Sequence, residues 1–499
     1  MFWSDATHLA QFGSASAWPV YLFFRNQSKY LCSCPTSGAC HPIAFLPTLP
    51  HSILDFVSKL SKKRNYNDLL THCKRKLIHR AWKILLDDEF LDAYRNGIVV
   101  KCYDGKLHRV FPRIFTYSAD YPEKVLLATI RDKGNCPCPR CMIPKAEFYR
   151  LGFISDALQR VSSIRHYFRE CVAAARDAIY KDGSPIKGTF PEMRLKAFSL
   201  NTFAETLGPL GFDIYRALTV DLLHEFELGV FKSVFRHLLR LLHAINPVLG
   251  MNLVAILDAR FYQIPSFGKG AIRQFPSNVS EAHQCAARHF EDVLQIDIQC
   301  AMPVFKGLFP PEHDQEIQTL LFRLAQWHTL AKLRLHTDHS LKLLDKACRL
   351  LGDYGAAIRD CSTMTTSAAR QPKSFNLTTY KLHALGDYVC NIRLFGTTDS
   401  YTTQLGELSH RLPKRFYQNT NKKYPAGQLA AQERRHTRIR RWQDVDTVET
   451  DMVDTVETAC PPLRHHYMSE SPRNTINLAE YLGKHQGDPA FSKVCVEAF

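Results

Sequence analysis

Short apolar segments separated by turn-forming residues occupy the first part of the chain. Six of them are rich in aromatic and β-branched residues and are predicted strands: residues 17–24, 41–49, 98–102, 107–111, 113–117 and 124–130. Asp104-Gly105 lies between two of these segments and is a dipeptide that tight hairpin turns favour. Between residues 58 and 94 the apolar positions recur every three or four residues, which indicates helix. The pattern predicts a sheet of about five strands interrupted by a helix.

From about Asp156 onward the pattern becomes helical. Apolar residues at helical spacing define six further segments: residues 165–180, 221–245, 280–301, 316–335, 340–351 and 377–394. This helical block separates the predicted sheet from the segment around Glu407. We therefore expect an α+β core that is interrupted by a large, mostly helical insertion.

Composition and charge favour a globular protein with a polyanionic partner. Of the 499 residues, 45% are hydrophobic and 22% are charged, which is ordinary for globular domains. The 64 lysines and arginines exceed the 48 acids, a net charge of +16. Such an excess favours nucleic acid, because neutralised phosphates release condensed counterions. A basic soluble protein without that partner is the alternative.

The cysteines point to a reducing compartment. There are 16 of them, but the first residues show no basic region followed by a long apolar run, as a secretory signal would. Reduced thiols in the cytosol or nucleus are therefore expected. The most apolar long stretch, residues 238–257, contains Arg240 and Pro247, so we expect no membrane span there.

Three cysteines fall within six residues, at Cys136, Cys138 and Cys141. Cys138 and Cys141 have the spacing of a zinc-binding pair, but four-coordinate zinc needs two further ligands. His224 with one more His or Cys could supply them, whereas Cys136 is nearer but sterically awkward. The alternative is a pair of reduced, buried thiols in a turn.

Residues 411–441 hold ten lysines or arginines against one acid, with Phe416, Tyr417 and Tyr424 interleaved. This segment could follow phosphates while its aromatic rings stack on bases, or it could be a solvated tail or nuclear-import signal. The candidate DNA-binding residues are Lys414, Arg415, Lys422, Lys423, Arg434, Arg435, Arg438, Arg440 and Arg441. An acidic duplication follows (VDTVET, residues 445–450 and 453–458), and it is read as a flexible insertion.

Several motifs occur in order along the chain. They are residues 4–9 (SDATHL), 117–123 (YSADYPE), 136–143 (CPCPRCMI), 221–229 (DLLHEFELG), 380–388 (YKLHALGDY) and 395–401 (FGTTDSY) with 406–408 (GEL). In this order they resemble the Plavaka-type DNA transposases of mushroom-forming fungi, relatives of the CACTA group. The resemblance runs from Asp5 to about Lys414 and resumes near residues 465–488.

The resemblance implies a DDE transposase whose RNase H-like, mixed five-stranded sheet is split by the helical insertion. Asp5, Asp120 and Glu407 correspond to the three carboxylates, which would hold two Mg²⁺ or Mn²⁺ ions. Asp221-x-x-His224 corresponds to the accessory D-x-x-H signature, and Cys138-x-x-Cys141 corresponds to a CxxC pair that could hold Zn²⁺. The implied partner is DNA, as transposon ends and target, with a second copy of the chain as another candidate. The implied location is the nucleus.

Each candidate acid has a structural alternative. Asp5 could be a turn residue, and Asp221 could simply cap a helix. Asp104 is a rival for Asp120, but the hairpin turn already explains it. At Glu407 the family usually continues Gly-Glu-Leu-Glu-His, whereas this chain has Ser409 in place of the second Glu.

The expected domain order follows from these assignments. It is a first part of the catalytic core with the CxxC pair (1–150), the helical insertion carrying D-x-x-H (151–395), the segment with the third acid (396–415), a basic then acidic linker (416–460) and a C-terminal segment (461–499). Because Asp5 lies so close to Met1, we expect a shortened first strand and a missing N-terminal region. A catalytically dead DNA-binding remnant and a zinc-stabilised structural protein are therefore alternatives to an active enzyme.

Overall fold

Eight strands are present among the residues that a computed structural model of the protein describes. In chain order they are β1 (Phe2–Ser4), β2 (Thr7–His8), β3 (Ser16–Ala17), β4 (Pro19–Phe23), β5 (Cys40–Phe45), β6 (Ile98–Lys101), β7 (Leu107–Val110) and β8 (Tyr117–Ser118). The structure describes residues 1–10, 15–60, 66–184, 200–249, 252–264, 275, 278–281, 287–295, 301–361, 375–423 and 425–451.

Twenty α-helices accompany the strands in the described ranges. They are α1 (Lys29–Cys32), α2 (His51–Leu60), α3 (Tyr66–Leu85), α4 (Asp88–Asn96), α5 (Tyr121–Leu127), α6 (Ile154–Ser162), α7 (Arg169–Tyr180), α8 (Thr202–Thr206), α9 (Ile214–Ala217), α10 (Lys232–Leu249), α11 (Leu253–Tyr262), α12 (Ala287–Gln295), α13 (Ala301–Phe305), α14 (Pro311–Ala331), α15 (Asp338–Cys361), α16 (Tyr380–Ala384), α17 (Tyr388–Phe395), α18 (Gln404–Ser409), α19 (Arg411–Gln418) and α20 (Pro425–Asp451). A π-helix, Leu222–Phe231, runs directly into α10. Most of the predicted helical block is therefore helical.

The central sheet is mixed and has the strand order β5-β4-β1-β8. β1 pairs antiparallel with β4 and parallel with β8. Tyr117 of β8 also forms an isolated parallel bridge with Leu218. In the described part of the chain this sheet has four strands, so the mixed sheet is confirmed and the predicted count of about five is not.

Successive residues of β1 face opposite sides of the sheet, as a period of two requires. Phe2 packs on Trp82 of α3, with 5.2 Å between ring centroids. Trp3 stacks on Tyr21 of β4 at 5.4 Å. The two residues belong to different hydrophobic clusters, and that of Trp3 extends into the helices of the insertion. Helices therefore cover both faces of the sheet.

The hairpin predicted around Asp104-Gly105 is confirmed. β6 and β7 pair antiparallel, and Gly105 adopts a φ of +75°, which glycine tolerates. The Asp104 carboxylate accepts a hydrogen bond from the Lys106 amide at 3.0 Å. This two-stranded sheet is separate from the central one. The side chain of Asp104 stabilises its turn.

Residues 124–130 are not a strand, contrary to the prediction, because α5 covers most of them. Asp120 is the N-cap of α5 and accepts from the Glu123 amide at 2.9 Å, and Pro122 lies in the first turn. Asp, Pro and Glu at these positions are helix-start signals. The apolar run that follows is buried in either conformation, so hydrophobicity alone could not distinguish the two.

A buried histidine makes the fold sensitive to acid. His79 of α3 accepts a hydrogen bond from the Thr202 amide through Nδ1 (3.1 Å), and its Nε2 donates to the Leu126 carbonyl (3.1 Å). This arrangement requires the neutral ring. Burial lowers the pKa of His79 to about 4.

We expect the free energy of unfolding to fall as pH drops from about 6.5 towards 4. Below pH 6.5 the unfolded chain binds a proton on residue 79 that the folded chain does not, so stability rises with pH in this window by roughly 3 kcal/mol. His79→Gln retains one donor and one acceptor and should reduce the slope by about one proton. Chemical denaturation at several pH values measures it, with the exposed His166→Gln as control. An unchanged slope in His79→Gln contradicts the assignment.

The contacts divide the chain into two units, Met1–Ala431 and Gln432–Phe499. In the second unit the structure describes only the continuation of α20 to Asp451. Predictions for the second copy of the duplication and for residues 461–499 lie outside the described residues. Among the helices of the described ranges, none has the length and apolar character needed to cross a membrane.

Candidate active site

Asp5 and Asp120 lie at one edge of the central sheet. Asp5 directly follows β1, and Asp120 follows β8 after one residue. Because β1 and β8 are parallel neighbours, their carboxyl ends meet at the same edge. Both side chains are partly buried. The structure thus places two acids that are far apart in sequence beside each other.

Buried hydrogen bonds hold these two strand ends together. Ser4 Oγ lies 2.6 Å from the Tyr117 hydroxyl and also donates to the carboxylate of Glu123. Trp18 Nε1 donates to the other oxygen of Glu123 at 2.8 Å. Burial raises the pKa of Glu123 well above its usual value. Glu123 therefore links the residue before Asp5 to the first turn of α5, where Asp120 is the cap.

Glu407 reaches this edge from α18. Gly406 lies directly against the indole of Trp3, so that a Cβ at this position would overlap the ring. The Gly-Glu dipeptide thus has a steric reason, since only glycine lets α18 approach β1 this closely. On its other side Glu407 Oε1 lies 3.5 Å from His224 Nε2.

His224 connects the third acid to Asp221. Its Nδ1 lies 2.6 Å from Asp221 Oδ2, while the same carboxylate accepts the backbone amide of His224 at 3.1 Å. Thr403, just before α18, donates its hydroxyl to Asp221 at 2.9 Å. Asp221 therefore caps the π-helix and orients His224 at the same time. The contacts of Asp221 thus agree both with a helix cap and with an accessory residue that positions His224.

The charges of these groups act on one another. Burial, followed by the charge of Asp120, raises the pKa of Asp5 to about 7, and Glu407 adds to this shift. Burial also raises the pKa of Glu407, and the charges of Asp221 and Asp120 contribute. Burial opposes protonation of His224, but its hydrogen bond to Asp221 and the nearby acids raise its pKa to about 9. The site thus concentrates negative charge around a single imidazolium.

The three acids are spaced more widely than the ligands of one ion. Among the described residues, the only three ligating side chains whose atoms all lie within 4.8 Å of one another are Cys138, Cys141 and His383. Asp5, Asp120 and Glu407 therefore share an electrostatic environment without forming so tight a group.

The Cys138–Cys141 pair has His383 as its third neighbour. Cys141 Sγ lies 3.2 Å from His383 Nε2, and all three side chains are buried. The prediction placed His224 here, but His224 lies with the acids. Two thiols and an imidazole are donors that could hold a metal ion.

The backbone around the two cysteines is fixed from behind. The buried guanidinium of Arg165 donates to the carbonyls of Cys136, Cys138 and Cys141 at 2.8 to 3.1 Å. The ring of Phe148 stacks on His383 with 4.0 Å between centroids. The ligating atoms are therefore preorganised by neighbours that need no ion.

The two thiols differ in acidity. Burial alone would raise the pKa of Cys138, but hydrogen bonds from Cys141 and His383 and the charge of Arg140 bring it well below its usual value. The hydrogen bond to Cys138, together with burial, raises the pKa of Cys141. One proton is thus shared by the pair, and a metal ion would have to displace it.

A buried network joins this cluster to the acidic site. The Tyr380 ring, one turn before His383, stacks on Tyr121, which follows Asp120, at 4.4 Å. The Tyr380 hydroxyl donates to Glu225 at 2.7 Å, and Lys124 Nζ lies 2.7 Å from the same oxygen. Lys124 and Glu225 are almost completely buried. The cluster therefore supports the helix that Asp120 caps.

The basic C-terminal segment divides into surface and core residues. Lys414, Arg415, Lys422 and Lys423 are exposed in the first unit, and Arg434, Arg435, Arg438 and Arg440 lie on α20 in the second, whereas the side chain of Arg441 is outside the described set. Phe416 and Tyr417 are buried in a cluster with Leu9 and Leu429. The prediction that these two rings stack on bases is therefore wrong, and Tyr424 lies outside the described residues.

Comparison with known proteins defines the class first. Residues 1–240, slightly less than half of the chain, match a family model of transposases. The family is the Plavaka transposase, so the resemblance seen in the motifs is confirmed over this range. The matched range contains Asp5, Asp120, both cysteines of the CxxC pair and the Asp221-His224 pair, whereas Glu407 lies beyond it. No curated protein matches the chain.

Sequence reasoning missed several residues of the site. His383 lies in the quoted motif at residues 380–388, but no role was assigned to it. Thr403, Glu123 and Glu225 act through hydrogen bonds to residues more than a hundred positions away. Local spacing carries no signal for such partners. His383 was the one detectable residue, because CxxC lacked further ligands and a histidine recurred in a motif.

Proposed function

We propose that the protein is a DDE-type transposase that cleaves and joins DNA strands with divalent metal ions. The observation that carries the proposal is the convergence of Asp5, Asp120 and Glu407 from three distant segments, close enough that the charge of Asp120 raises the pKa of both Asp5 and Glu407 and the charge of Glu407 raises that of Asp5. Clustered carboxylates repel one another, and hard divalent cations relieve that repulsion.

The strand order supports an RNase H-like core. A short mixed sheet with β1 central, antiparallel to β4 and parallel to β8, places the first two acids at adjacent strand ends. The parallel bridge from Tyr117 to Leu218 lies where a fifth strand would extend the sheet. The acidic site follows from this topology.

The residues fit a pair of Mg²⁺ or Mn²⁺ ions better than a single ion. Two ions about 3.5–4 Å apart, each about 2 Å from its oxygens, allow ligands of different ions to be up to roughly 8 Å apart. Asp5, Asp120 and Glu407 would hold these ions, which would supply activation of the attacking water or 3′-hydroxyl and stabilisation of the leaving oxygen. Protonated His224 would orient Glu407 and offset its charge, and Asp221 and Thr403 would hold His224. At the second cluster, the sulfur and nitrogen donors of Cys138, Cys141 and His383 suit Zn²⁺ in a structural role.

Transposases bind DNA, and the net charge of +16 suits that partner. We place the protein in the nucleus, where its substrate resides. The test is incubation of the whole chain with supercoiled and linear DNA, with Mg²⁺ or Mn²⁺ and with a chelator. Metal-dependent nicking or joining is expected. Binding without any cleavage would instead identify a DNA-binding remnant and overturn the enzymatic proposal.

A further inference from the structure

A pocket of about 280 Å³ opens beside the acidic site, on the side of the helical insertion. It lies between the π-helix with α10 and the segment that leads into α16. Its lining includes the polar and basic residues Ser233, Arg236, His237, Arg240 and Lys381, together with Phe375. None of these residues has a role in the chemistry described above.

Three cations converge on the pocket. Arg236 and Arg240 are one turn apart on α10, and Arg240 is exposed. Lys381 enters from α16, and its ammonium donates to the Leu228 carbonyl at 3.3 Å. A Cβ on Gly229 would lie 2.7 Å from Lys381 Cδ, so the glycine permits this approach. The cations face a cavity large enough for a phosphate group.

Lys381 also adjoins the acidic site. The preceding residue, Tyr380, donates to Glu225 and stacks on Tyr121, which follows Asp120. The lysine therefore lies between the pocket and the acids. A group bound in the pocket would be adjacent to the position at which a strand is cut.

His237 provides an independent sign of a missing ligand. Its side chain is 3% exposed and lines the pocket, yet its Nε2 has no hydrogen-bond partner among the residues that the structure describes. A buried polar atom without a partner costs roughly 1–3 kcal/mol, unless a ligand satisfies it. The ring of Phe375 lies 5.5 Å from that of His237 and adds an aromatic surface. These groups match the parts of a nucleotide. The cations suit its phosphate, the ring of Phe375 suits stacking on its base, and the free nitrogen of His237 suits a hydrogen bond to the edge of the base.

The larger neighbouring cavity, of about 870 Å³, matches such a ligand less well. It shares Arg236 and Arg240, but Asp258 and Glu281 also line it. Their charges repel phosphate. The smaller pocket is lined by no acid in the described residues.

We propose that the smaller pocket binds one nucleotide of the DNA substrate, with its phosphate on Arg236, Arg240 and Lys381 and its base against Phe375 and His237. The size admits a single unpaired nucleotide and excludes a duplex. The choice of DNA rests on the proposed function, whereas the nucleotide chemistry rests on the pocket. The site would hold a strand in place next to Asp120.

The test measures binding of a short fluorescent single strand by the full chain without added Mg²⁺ or Mn²⁺, so that metal-dependent cleavage is not expected. Arg240→Ala should weaken binding about fivefold and reduce the salt slope by roughly 0.7. Phe375→Ala should weaken binding about tenfold with an unchanged slope, because stacking carries no counterions. Arg80→Ala, an exposed arginine on α3, is the matched control and should bind like wild type. Thermal unfolding verifies that each variant is folded.

Wild-type affinity in both Arg240→Ala and Phe375→Ala would overturn the proposal. If free deoxyadenosine monophosphate displaced the fluorescent strand as effectively as an unlabelled strand at the same concentration of nucleotides, the choice of DNA would be overturned. The pocket would then be assigned to a free nucleotide. The assay is separate from that of the proposed function. A chain that binds the strand through this pocket but never cleaves DNA would refute the enzyme and retain the pocket.

Discussion

Asp120→Asn is expected to abolish metal-dependent cleavage and joining while leaving the fold intact. Asparagine also caps helices, so the bond to the Glu123 amide and the start of α5 are retained. The change removes only the charge and one metal-binding oxygen from the acidic site. Loss of a preorganised electrostatic contact costs 10²–10³-fold, and loss of a charged metal ligand should cost on the order of 10³-fold or more.

The matched control is Asp104→Asn. It makes the same chemical change at an exposed turn, where Asn-Gly forms the hairpin as well as Asp-Gly does. Cleavage by this variant should equal that of wild type. Comparable activity in Asp120→Asn, or comparable loss in Asp104→Asn, would remove Asp120 from the mechanism.

The second large effect is expected from metal removal at Cys138, Cys141 and His383. We expect one thiolate-bound ion per chain, detectable by elemental analysis, and its loss in Cys141→Ser. An ion bound only by the folded state stabilises it by about 4 kcal/mol when its concentration is a thousand times the dissociation constant. A zinc-selective chelator should therefore lower the midpoint of thermal unfolding of wild type and leave Cys141→Ser nearly unaffected.

The control for the metal cluster is Cys348→Ser, which changes a buried cysteine of α15 outside the cluster. This variant loses some packing, but it should retain the ion and its sensitivity to the chelator. Wild-type protein without bound metal, or with an unfolding midpoint that the chelator does not change, would show that the pair is a thiol turn fixed by Arg165. Because Tyr380 joins the cluster to α5, chelation should also weaken the organisation of Asp120.

Local chemistry explains which parts of the fold could be predicted. The Asp104-Gly105 hairpin and the amphipathic helices were predictable because each depends on neighbours within a few residues. Residues 124–130 were assigned to a strand because buried helices and buried strands share an apolar run. The sequence at Asp120 carries a helix-capping signal as well as a candidate metal ligand, and the structure gives Asp120 the capping role at the start of α5.

The site was predictable where a motif carried it, and not where tertiary contacts complete it. The resemblance pointed to Asp5, Asp120, Asp221, His224 and Glu407, and the structure brings these residues into one electrostatic environment. Partners such as Glu123 and Thr403 come from pairings across the sheet, which no spacing reveals. Phe416 and Tyr417 were predicted wrongly for a related reason. Their basic neighbours in the sequence suggested that the two rings are exposed, whereas tertiary contacts bury both side chains.

The contact between α18 and β1 sets the order in which the site can be assembled. Tyr21 meets His410, 389 residues later, at the same contact where Gly406 covers Trp3. During synthesis the first two acids and the metal cluster's cysteines emerge long before Glu407 and its helix. A nascent chain that ends before Glu407 therefore lacks the third carboxylate. Premature termination anywhere in the insertion would remove Glu407 together with the basic residues between 411 and 441, so we expect such a product to lack both the third acid and the candidate DNA-binding segment.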